Sequence, residues 1–425
     1  MPLPRKDPFI LSEKSNVRPL HAEQDIISDF FQLTQDDWSP EIFRRWSAVS
    51  LVAAALERRV WIRTGKFITF PNLYTLLVAP PGTGKQIVAA VRDILEEVKI
   101  GNTKEKAFKI APDSMTNAAL IDTLVDSRQT RIGPGGAPYS YSSLFVGAEE
   151  FSVLMPTYDM GFVGTLNSVY NNPAIHREHR RHGRPPKLEI EYPVLNLLGG
   201  IQPAFMSSNF PEEVWTTGLS RRCIMAFSSE QKIRNPFDVT TPHDELRRRL
   251  ISGLSRLSAV QGQITWGAGA LKYFLDWHMG GGQPAPTHSK LIGYNTSRSM
   301  NLMKLSGISL MSRFGGFEID EIDVKRGLNW LLETESAMPE IFRAMQGKND
   351  WQILEELHRF MTAQAVRTKH KPMERSLVFR WISQWCTVEK TRQMFDLAMN
   401  SGVFLPVVGD VDHVTVNGNF VLKME

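Results

Sequence analysis

Cysteine is scarce in this chain of 425 residues, which contains only Cys223 and Cys386. Two thiols cannot form a four-thiolate zinc site, and they do not suggest the disulfide framework of a small secreted protein. This composition fits a protein of the reducing cytoplasm.

Long apolar runs are also missing. The start, "MPLPRKDPF", has no apolar core of a signal peptide, and no later segment is apolar over the length that a bilayer requires. We therefore expect an intracellular protein without a membrane partner.

The excess of positive charge is also small. The chain has 49 Lys and Arg and 45 Asp and Glu, which gives a net charge of +4. This balance permits a polyanionic partner but does not require one. Hydrophobic residues make up 42% and charged residues 22% of the chain, as in soluble globular proteins. The length exceeds that of one ordinary core, so two or three domains are expected.

Apolar runs and helical periodicity predict an α/β base over residues 38–235. In "DDWSPEIFRRWSAVSLVAAALERRVWI", Ser39 is a candidate N-cap and Pro40 fits the first helical position, which predicts a long helix. The runs "NLYTLLV", "SSLFV" and "PVLNLLGG" predict buried strands that alternate with helices, and hence a parallel sheet covered by helices. Residues 1–37 are mixed in character and predict an irregular arm.

Strand signals stop after "NPFDVTTPHDE", and residues 236–348 are predicted to form a helical lid. Residues 349–425 predict three helices and a hairpin, the ingredients of a winged helix. The third of these helices offers only Lys390 and Arg392 beside two acids, which is a weak footprint for phosphate contact. A role in assembly or regulation is therefore an alternative to base readout for this part.

The stretch "APPGTGKQ", Ala79–Gln86, follows a predicted strand and precedes a predicted helix. We call it the glycine loop. Small residues there let backbone N–H groups surround phosphate oxygens while a lysine reaches the terminal phosphates. Ala79 stands where a glycine is usual, and Gln86 stands where a hydroxyl normally binds Mg²⁺, directly or through water. The alternative is a plain Gly-Pro turn. The candidate nucleotide contacts are Pro81, Gly82, Thr83, Gly84, Lys85, Gln86 and Ile87.

Polar residues follow two further predicted strands. Glu149 and Glu150 end "LFVGAEE", where one acid can hold Mg²⁺ through water and the other can orient the attacking water. The alternative is a solvated pair at a helix start. Gln202 ends "NLLGGIQ", where its amide would lie beside the γ-phosphate.

Three arginines are further candidates for a functional role. Arg221 and Arg222 precede an apolar strand, where an arginine can stabilise the charge of a transferred phosphate; a solvated arginine pair is the alternative. Arg298 opens a helix of the predicted lid; its alternative role is a helix-start arginine bound to a neighbouring carboxylate.

The order of these motifs resembles that of an AAA+ ATPase. "LSRR" and "NTSRSMNLMKLS" resemble segments of the minichromosome-maintenance helicase branch. "PNLYTLLVAPPGTGK", "VGAEEFSVLM" and "LLGGIQPAF" resemble an uncharacterised domain family of phage and plasmid replication proteins. The resemblance covers roughly residues 38–345 and implies ATP and Mg²⁺ as cofactors. It implies the following roles: Lys85 on the phosphates, Glu149 on magnesium, Glu150 as catalytic base, Gln202 as first sensor, Arg221 as a finger toward a neighbouring subunit, and Arg298 as second sensor.

A basic segment lies between the acid pair and the Gln202 strand. From His176 to Lys187 there are five Arg and Lys residues against one glutamate: Arg177, Arg180, Arg181, Arg184 and Lys187. Alternation in "LEIEY" predicts a hairpin with arginines near its tip. In the helicase branch resembled, a hairpin at this place lines the central pore of a ring and grips nucleic acid. A solvated basic loop is the alternative.

These expectations favour an ATP-hydrolysing, DNA-binding motor that forms a homo-oligomeric ring, with a hexamer as the expected size. A helicase of phage or plasmid replication, with single-stranded DNA in the pore and other replication proteins as partners, is the leading hypothesis. A nucleotide-gated helicase loader or transposition assembly factor with slow turnover is one alternative, and Gln86 favours it. A protein-binding scaffold or defence component with the same core is the other.

Overall fold

The computed structural model describes residues 24–65, 67–101, 103–132, 137–155, 158–179, 187–211, 213–216, 218–233, 235, 243–345, 350–385 and 388–418. The chain divides into two compact units, Met1–Phe342 and Arg343–Glu425. The segment predicted as base and most of the segment predicted as lid, up to Phe342, fall in the first unit.

From Ile26 to Met345 the helices and strands are, in chain order, α1 (Ile26–Leu33), α2 (Glu41–Leu56), β1 (Val60–Thr64), β2 (Phe67–Thr69), β3 (Tyr74–Val78), α3 (Ile87–Glu97), α4 (Asn117–Asp126), β4 (Arg128–Ile132), β5 (Pro138–Ala148), α5 (Phe151–Leu154), α6 (Met160–Tyr170), β6 (Ile175–His179), β7 (Lys187–Glu191), β8 (Pro193–Ile201), α7 (Pro203–Asn209), α8 (Glu213–Thr216), α9 (Gly218–Arg222), β9 (Cys223–Phe227), α10 (Asp244–Leu257), β10 (Gly262–Trp266), α11 (Ala268–Met279), α12 (Ile292–Asn295), α13 (Arg298–Ser312), β11 (Glu318–Ile319) and α14 (Glu321–Met345).

The main sheet of the first unit has the strand order β4-β5-β8-β3-β9. Strands β5, β8, β3 and β9 are parallel, and β4 runs antiparallel to β5. Helices α2, α3 and α6 pack against its strands. Strands β3 and β8 are buried along their whole length, as continuous apolar runs predict for a parallel sheet covered on its faces. The predicted α/β architecture is confirmed at this level.

The N-terminal segment is more ordered than the sequence predicts. Helix α1 begins after Asp25, whose carboxylate accepts the Ile27 N–H. Ile26 and Phe30 are fully buried, and α1 packs against α2 and α10. The expectation of an irregular arm is therefore wrong from Ile26 onward, because this short amphipathic helix has a capped start and an apolar face to bury.

The predicted long helix from Ser39 through "VWI" is shorter than expected. Helix α2 ends at Leu56, because Glu57 adopts φ +51° and leaves the helical conformation. The buried Glu57 carboxylate accepts hydrogen bonds from the Tyr141 hydroxyl and from Gln129 Nε2, at 2.5 and 2.9 Å. These bonds tie the end of α2 to the edge of the main sheet.

A second sheet, of order β11-β10-β1-β2, is the main departure from the predicted fold. Its strand β10 lies in the segment predicted to be a helical lid, and pairs in parallel with β1 from the predicted base, Val60 opposite Gly262. The lid segment is mostly helical but contributes β10 and β11 to this sheet. Base and lid segments are thus joined by backbone hydrogen bonds.

From Asp350 to Val416 the elements are α15 (Asp350–Arg367), β12 (Met373–Glu374), α16 (Arg375–Ile382), α17 (Val388–Asn400), β13 (Phe404–Val407) and β14 (Asp410–Val416). The three helices and the terminal hairpin agree with the sequence prediction. The short strand β12 was missed; it pairs with β14 to complete a three-stranded sheet of order β12-β14-β13. Helices and sheet share one apolar core that includes Leu354, Val378, Phe395, Phe404 and Val414.

Within the described residues, each helix is too short or too polar to cross a bilayer.

Candidate functional site

The glycine loop connects β3 to α3 at the carboxyl edge of the main sheet. Gly82 and Gly84 have φ of +76° and +71°, which favour glycine. The Thr83 hydroxyl donates to the Pro80 carbonyl at 3.0 Å and holds the turn closed. Ala79 continues the sheet, since its N–H donates to the Ile201 carbonyl at 3.0 Å. Replacing the usual glycine by alanine is therefore compatible with this backbone.

Residues 38 and 39 lie directly against the loop. A Cβ on Gly84 would be 2.6 Å from Ser39 Cα and 2.8 Å from the Trp38 carbonyl oxygen, so only glycine fits there. The Ser39 hydroxyl contacts the Gly84 carbonyl and the Asp37 carboxylate. Ser39 was predicted to cap α2, yet no side-chain cap is formed there. Its hydroxyl helps to hold the loop instead.

Lys85 is folded back on the loop in this conformation. Its ammonium donates to the Ala79 and Pro80 carbonyls at 3.3 Å each and lies 3.8 Å from Glu150 Oε1. Burial lowers the pKa of Lys85 from its ordinary value, and the nearby Glu150 carboxylate partly offsets that effect. A cation is thus held at the loop with one carboxylate and two carbonyl dipoles around it.

Glu150 and Gln202 complete this group. Glu150 follows β5 and Gln202 follows β8, and both strands end at the edge where the glycine loop begins. Gln202 Nε2 donates to Glu150 Oε1 at 3.4 Å, and the Glu150 side chain is 40% exposed. The structure therefore brings Lys85, Glu150 and Gln202 together from three neighbouring strands.

Glu149 and Gln86 are exposed and have no side-chain partner among the described residues. Their carboxylate and amide oxygens are ligand types that Mg²⁺ accepts, directly or through water. Over the described ranges no group of three or more His, Cys, Asp or Glu side chains could hold a metal by itself. These donor types suit a magnesium ion whose other ligands are substrate phosphates and waters, the usual arrangement for this ion.

Ile87 differs from the other predicted nucleotide contacts. It is the first residue of α3, and its side chain is fully buried in the core. The isoleucine side chain therefore belongs to packing, and only its backbone could face a ligand.

Gly200 was missed by the sequence analysis. A Cβ at this position would collide with the Glu149 carbonyl oxygen and lie 3.1 Å from Cβ and Cδ of Lys85. Glycine in β8 thus lets the acid pair and the lysine approach the strand. The available signal was the Gly199-Gly200 pair inside an otherwise apolar strand, since such glycines often mark close backbone approach.

Gln231 was also missed. Its Nε2 donates to the Pro81 carbonyl at 3.2 Å and lies 3.6 Å from the position a Cβ on Gly82 would occupy. An amide after β9 therefore supports the outer side of the loop, although no sequence pattern marks it.

The two arginines of α9 have different surroundings. Arg222 donates to the Gly218 carbonyl at 2.8 Å and to the side chains of Asn167 and Asn171 at 3.4 and 3.2 Å. Arg221 is exposed and has no hydrogen-bond or ion-pair partner among the described residues. The structure therefore gives Arg222 an internal role and leaves Arg221 on the surface.

Arg298 adopts the alternative arrangement considered for it. Only 3% exposed, it donates to both carboxylate oxygens of Glu335, at 2.7 and 2.6 Å, and to the Pro284 carbonyl at 2.7 Å. It also contacts the Gly282 carbonyl. Each guanidinium nitrogen is thus bound within the protein, so Arg298 joins α13 to α14 in this conformation.

The predicted hairpin is present as strands β6 and β7, which pair antiparallel from Ile175 opposite Glu191 to His179 opposite Lys187. Arg180, Arg181 and Arg184 lie outside the described residues. Arg177 is exposed and forms an ion pair of 2.8 Å with Glu189 across the strands, which reduces its free charge. Lys187 begins β7.

Comparison of the chain with protein-family models and with curated proteins gives no match.

Proposed function

We propose that this protein is an ATP hydrolase of the AAA+ type that works as a DNA-binding ring motor, with a helicase as the leading case. The observation that carries the proposal is the meeting of Lys85, Glu150 and Gln202 at the glycine loop. A cation, a carboxylate and an amide at the carboxyl edge of a parallel sheet, beside a loop with two left-handed glycines, suit a nucleoside triphosphate.

Each residue has a chemical task in this proposal. Lys85 exchanges its loop carbonyls for the terminal phosphates and neutralises their charge. Glu150 accepts the proton of a water that attacks the γ-phosphorus, while the bond to the β-phosphate oxygen breaks and ADP and inorganic phosphate are released. Gln202 orients that water. Mg²⁺, near Glu149 and Gln86, supplies further positive charge on the phosphates when bound.

The rest of the chain fits around this site in the proposal. Arg221, exposed at the end of α9, reaches the nucleotide of a neighbouring copy in a ring. The β6–β7 hairpin carries the basic segment toward single-stranded DNA in the pore. The proposal gives the second unit the role of a winged helix, which its order of helix, strand, two helices and hairpin supports. Arg298 stays with Glu335 and has a structural task.

The deciding experiment is steady-state ATP hydrolysis by wild type, Glu150→Gln and Gln86→Thr, each with and without single-stranded DNA. We expect DNA to stimulate wild type, and Glu150→Gln to lose about 10²-fold or more in rate, the usual contribution of a general base. Nucleotide binding by Glu150→Gln should persist, because Lys85 and the loop are unchanged.

Glu105→Gln is the matched control, since Glu105 is also exposed but lies before α4, outside the site. Its rate should equal that of wild type. If DNA leaves the wild-type rate unchanged and Glu150→Gln loses nothing, the motor proposal is wrong.

A second candidate, a nucleotide-gated loader or assembly factor, is favoured by Gln86 alone. Its exposed amide replaces the hydroxyl that normally binds magnesium, which favours slow turnover. In that case wild type would bind ATP, assemble and hydrolyse slowly, and Gln86→Thr would raise the rate. Strand displacement by wild type would contradict this second candidate.

A further inference from the structure

Helices α16 and α17 of the second unit line an open cavity of about 720 Å³ that the sequence patterns do not indicate. Three arginines line it, Arg375 and Arg380 from α16 and Arg392 from α17, together with a single acid, Asp396. Over residues 350–418 acidic and basic residues are equal in number. The positive charge at the cavity is therefore a local concentration and not part of a generally basic surface.

The three guanidinium groups are available to a ligand to different degrees. Arg380 and Arg392 are exposed, and neither guanidinium group has a hydrogen-bond or ion-pair partner among the described residues. Arg375 is anchored, since its Nη1 donates to the Val411 carbonyl at 3.1 Å and its guanidinium lies 4.8 Å from the centre of the Phe395 ring. Its buried Nε has no acceptor within the described part of the chain.

We propose that this cavity binds the phosphodiester backbone of a nucleic acid. Guanidinium groups hold phosphate oxygens through paired N–H donors, and arginines on two helices can hold successive phosphates. The cavity is also far larger than one phosphate ion needs. This site lies outside the glycine loop and the basic hairpin, so it is independent of the proposed hydrolysis.

An exposed aromatic side chain favours nucleic acid over an acidic protein surface. Trp385 is 45% exposed. It lies two residues after Ser383, which lines the cavity. Exposed aromatic rings beside arginines stack on bases, whereas an acidic peptide gains little from them. The terminal hairpin adds exposed apolar side chains, Val408 and Val411, on the strand connection that Arg375 holds.

The test compares two full-length double variants that lose the same charge. Arg380→Gln with Arg392→Gln removes the two unpaired guanidinium groups of the cavity. Arg359→Gln with Arg367→Gln removes two arginines from α15 of the same unit, outside the cavity wall. Each protein is titrated with a labelled single-stranded oligonucleotide and with a labelled duplex over a range of salt concentrations.

For the cavity variant, the slope of log affinity against log salt should fall by about 1.4 on the single strand, because about 0.7 is lost for each phosphate contact. The α15 variant should keep the wild-type slope. An unchanged slope in the cavity variant, or an equal change in both variants, would overturn the proposal. Selective loss of affinity for a polyglutamate peptide, with DNA binding unchanged, would assign the cavity to an acidic protein and overturn it too.

Discussion

Glycine determines the shape of the candidate nucleotide site at two residues. Gly84 leaves room for the Trp38-Ser39 segment, and Gly200 leaves room for the Glu149 carbonyl and the Lys85 side chain. Both are backbone approaches that a Cβ would block, so the charged groups depend on small neighbours for their positions. The tight contact at Gly200 is the more direct test, because its neighbours are the catalytic candidates themselves.

Replacing Gly200 by Ala should lower the free energy of unfolding by about 1–3 kcal/mol, the usual cost of overpacking a buried site. It should also weaken nucleotide binding, because Glu149 and Lys85 must move. Gly164→Ala is the control: Gly164 lies in α6 with nothing within 4 Å of an added Cβ, and should gain about 0.4–1 kcal/mol. Urea unfolding and nucleotide titration check both. Equal effects of the two substitutions would contradict the role given to Gly200.

At the scale of helices and strands, the elements that the sequence predicted are those with strong local patterns. Strands β3, β5 and β8 are apolar runs bounded by polar or glycine residues, and the polar residues that follow them include Lys85, Glu150 and Gln202. Parallel strands end at the same edge of a sheet, so their meeting at one edge was predictable from the sequence alone.

The elements that were missed gain their stability from distant partners. Strands β1 and β10 are short, lie about 200 residues apart, and pair only with each other and with strands shorter still. The contacts of Arg298 were likewise unpredictable, since Glu335 lies 37 residues away in α14 and nothing local marks it as the partner. Sequence patterns report local preference, whereas these contacts depend on tertiary packing.

The α13–α14 connection gives a prediction at this scale. Glu335→Gln and Arg298→Met should each lower the free energy of unfolding by about 3–5 kcal/mol, because each leaves a buried partner unpaired. The double variant should cost clearly less than the sum, since the two groups act as a pair. Urea unfolding of the four proteins measures this coupling. Additive losses would contradict the pairing of the two side chains. An Arg298→Met protein of normal stability with weakened ATP binding would instead support the second-sensor role.

At the scale of the whole molecule, the proposed function places one residue of each active site on a neighbouring copy. Lys85, Glu150 and Gln202 meet on one chain, while Arg221 is exposed and has no partner in the described ranges. If Arg221 cannot reach the glycine loop of its own chain, it can complete a nucleotide site only on another copy. Such a head-to-tail contact generates a ring when the rotation closes.

Mixing two inactive variants tests this arrangement. Glu150→Gln lacks the base and Arg221→Ala lacks the finger, so each should be inactive alone. In an equal mixture about a quarter of the interfaces join an intact Glu150 to an intact Arg221, and about a quarter of the wild-type ATPase rate should return. The control mixture, Lys85→Ala with Glu150→Gln, should stay inactive. Each of these changes damages the nucleotide site of the copy that carries it, so every copy in the mixture has a damaged site. If the first mixture recovers no more activity than the control, Arg221 does not act between subunits, and the ring motor loses its link between neighbouring sites.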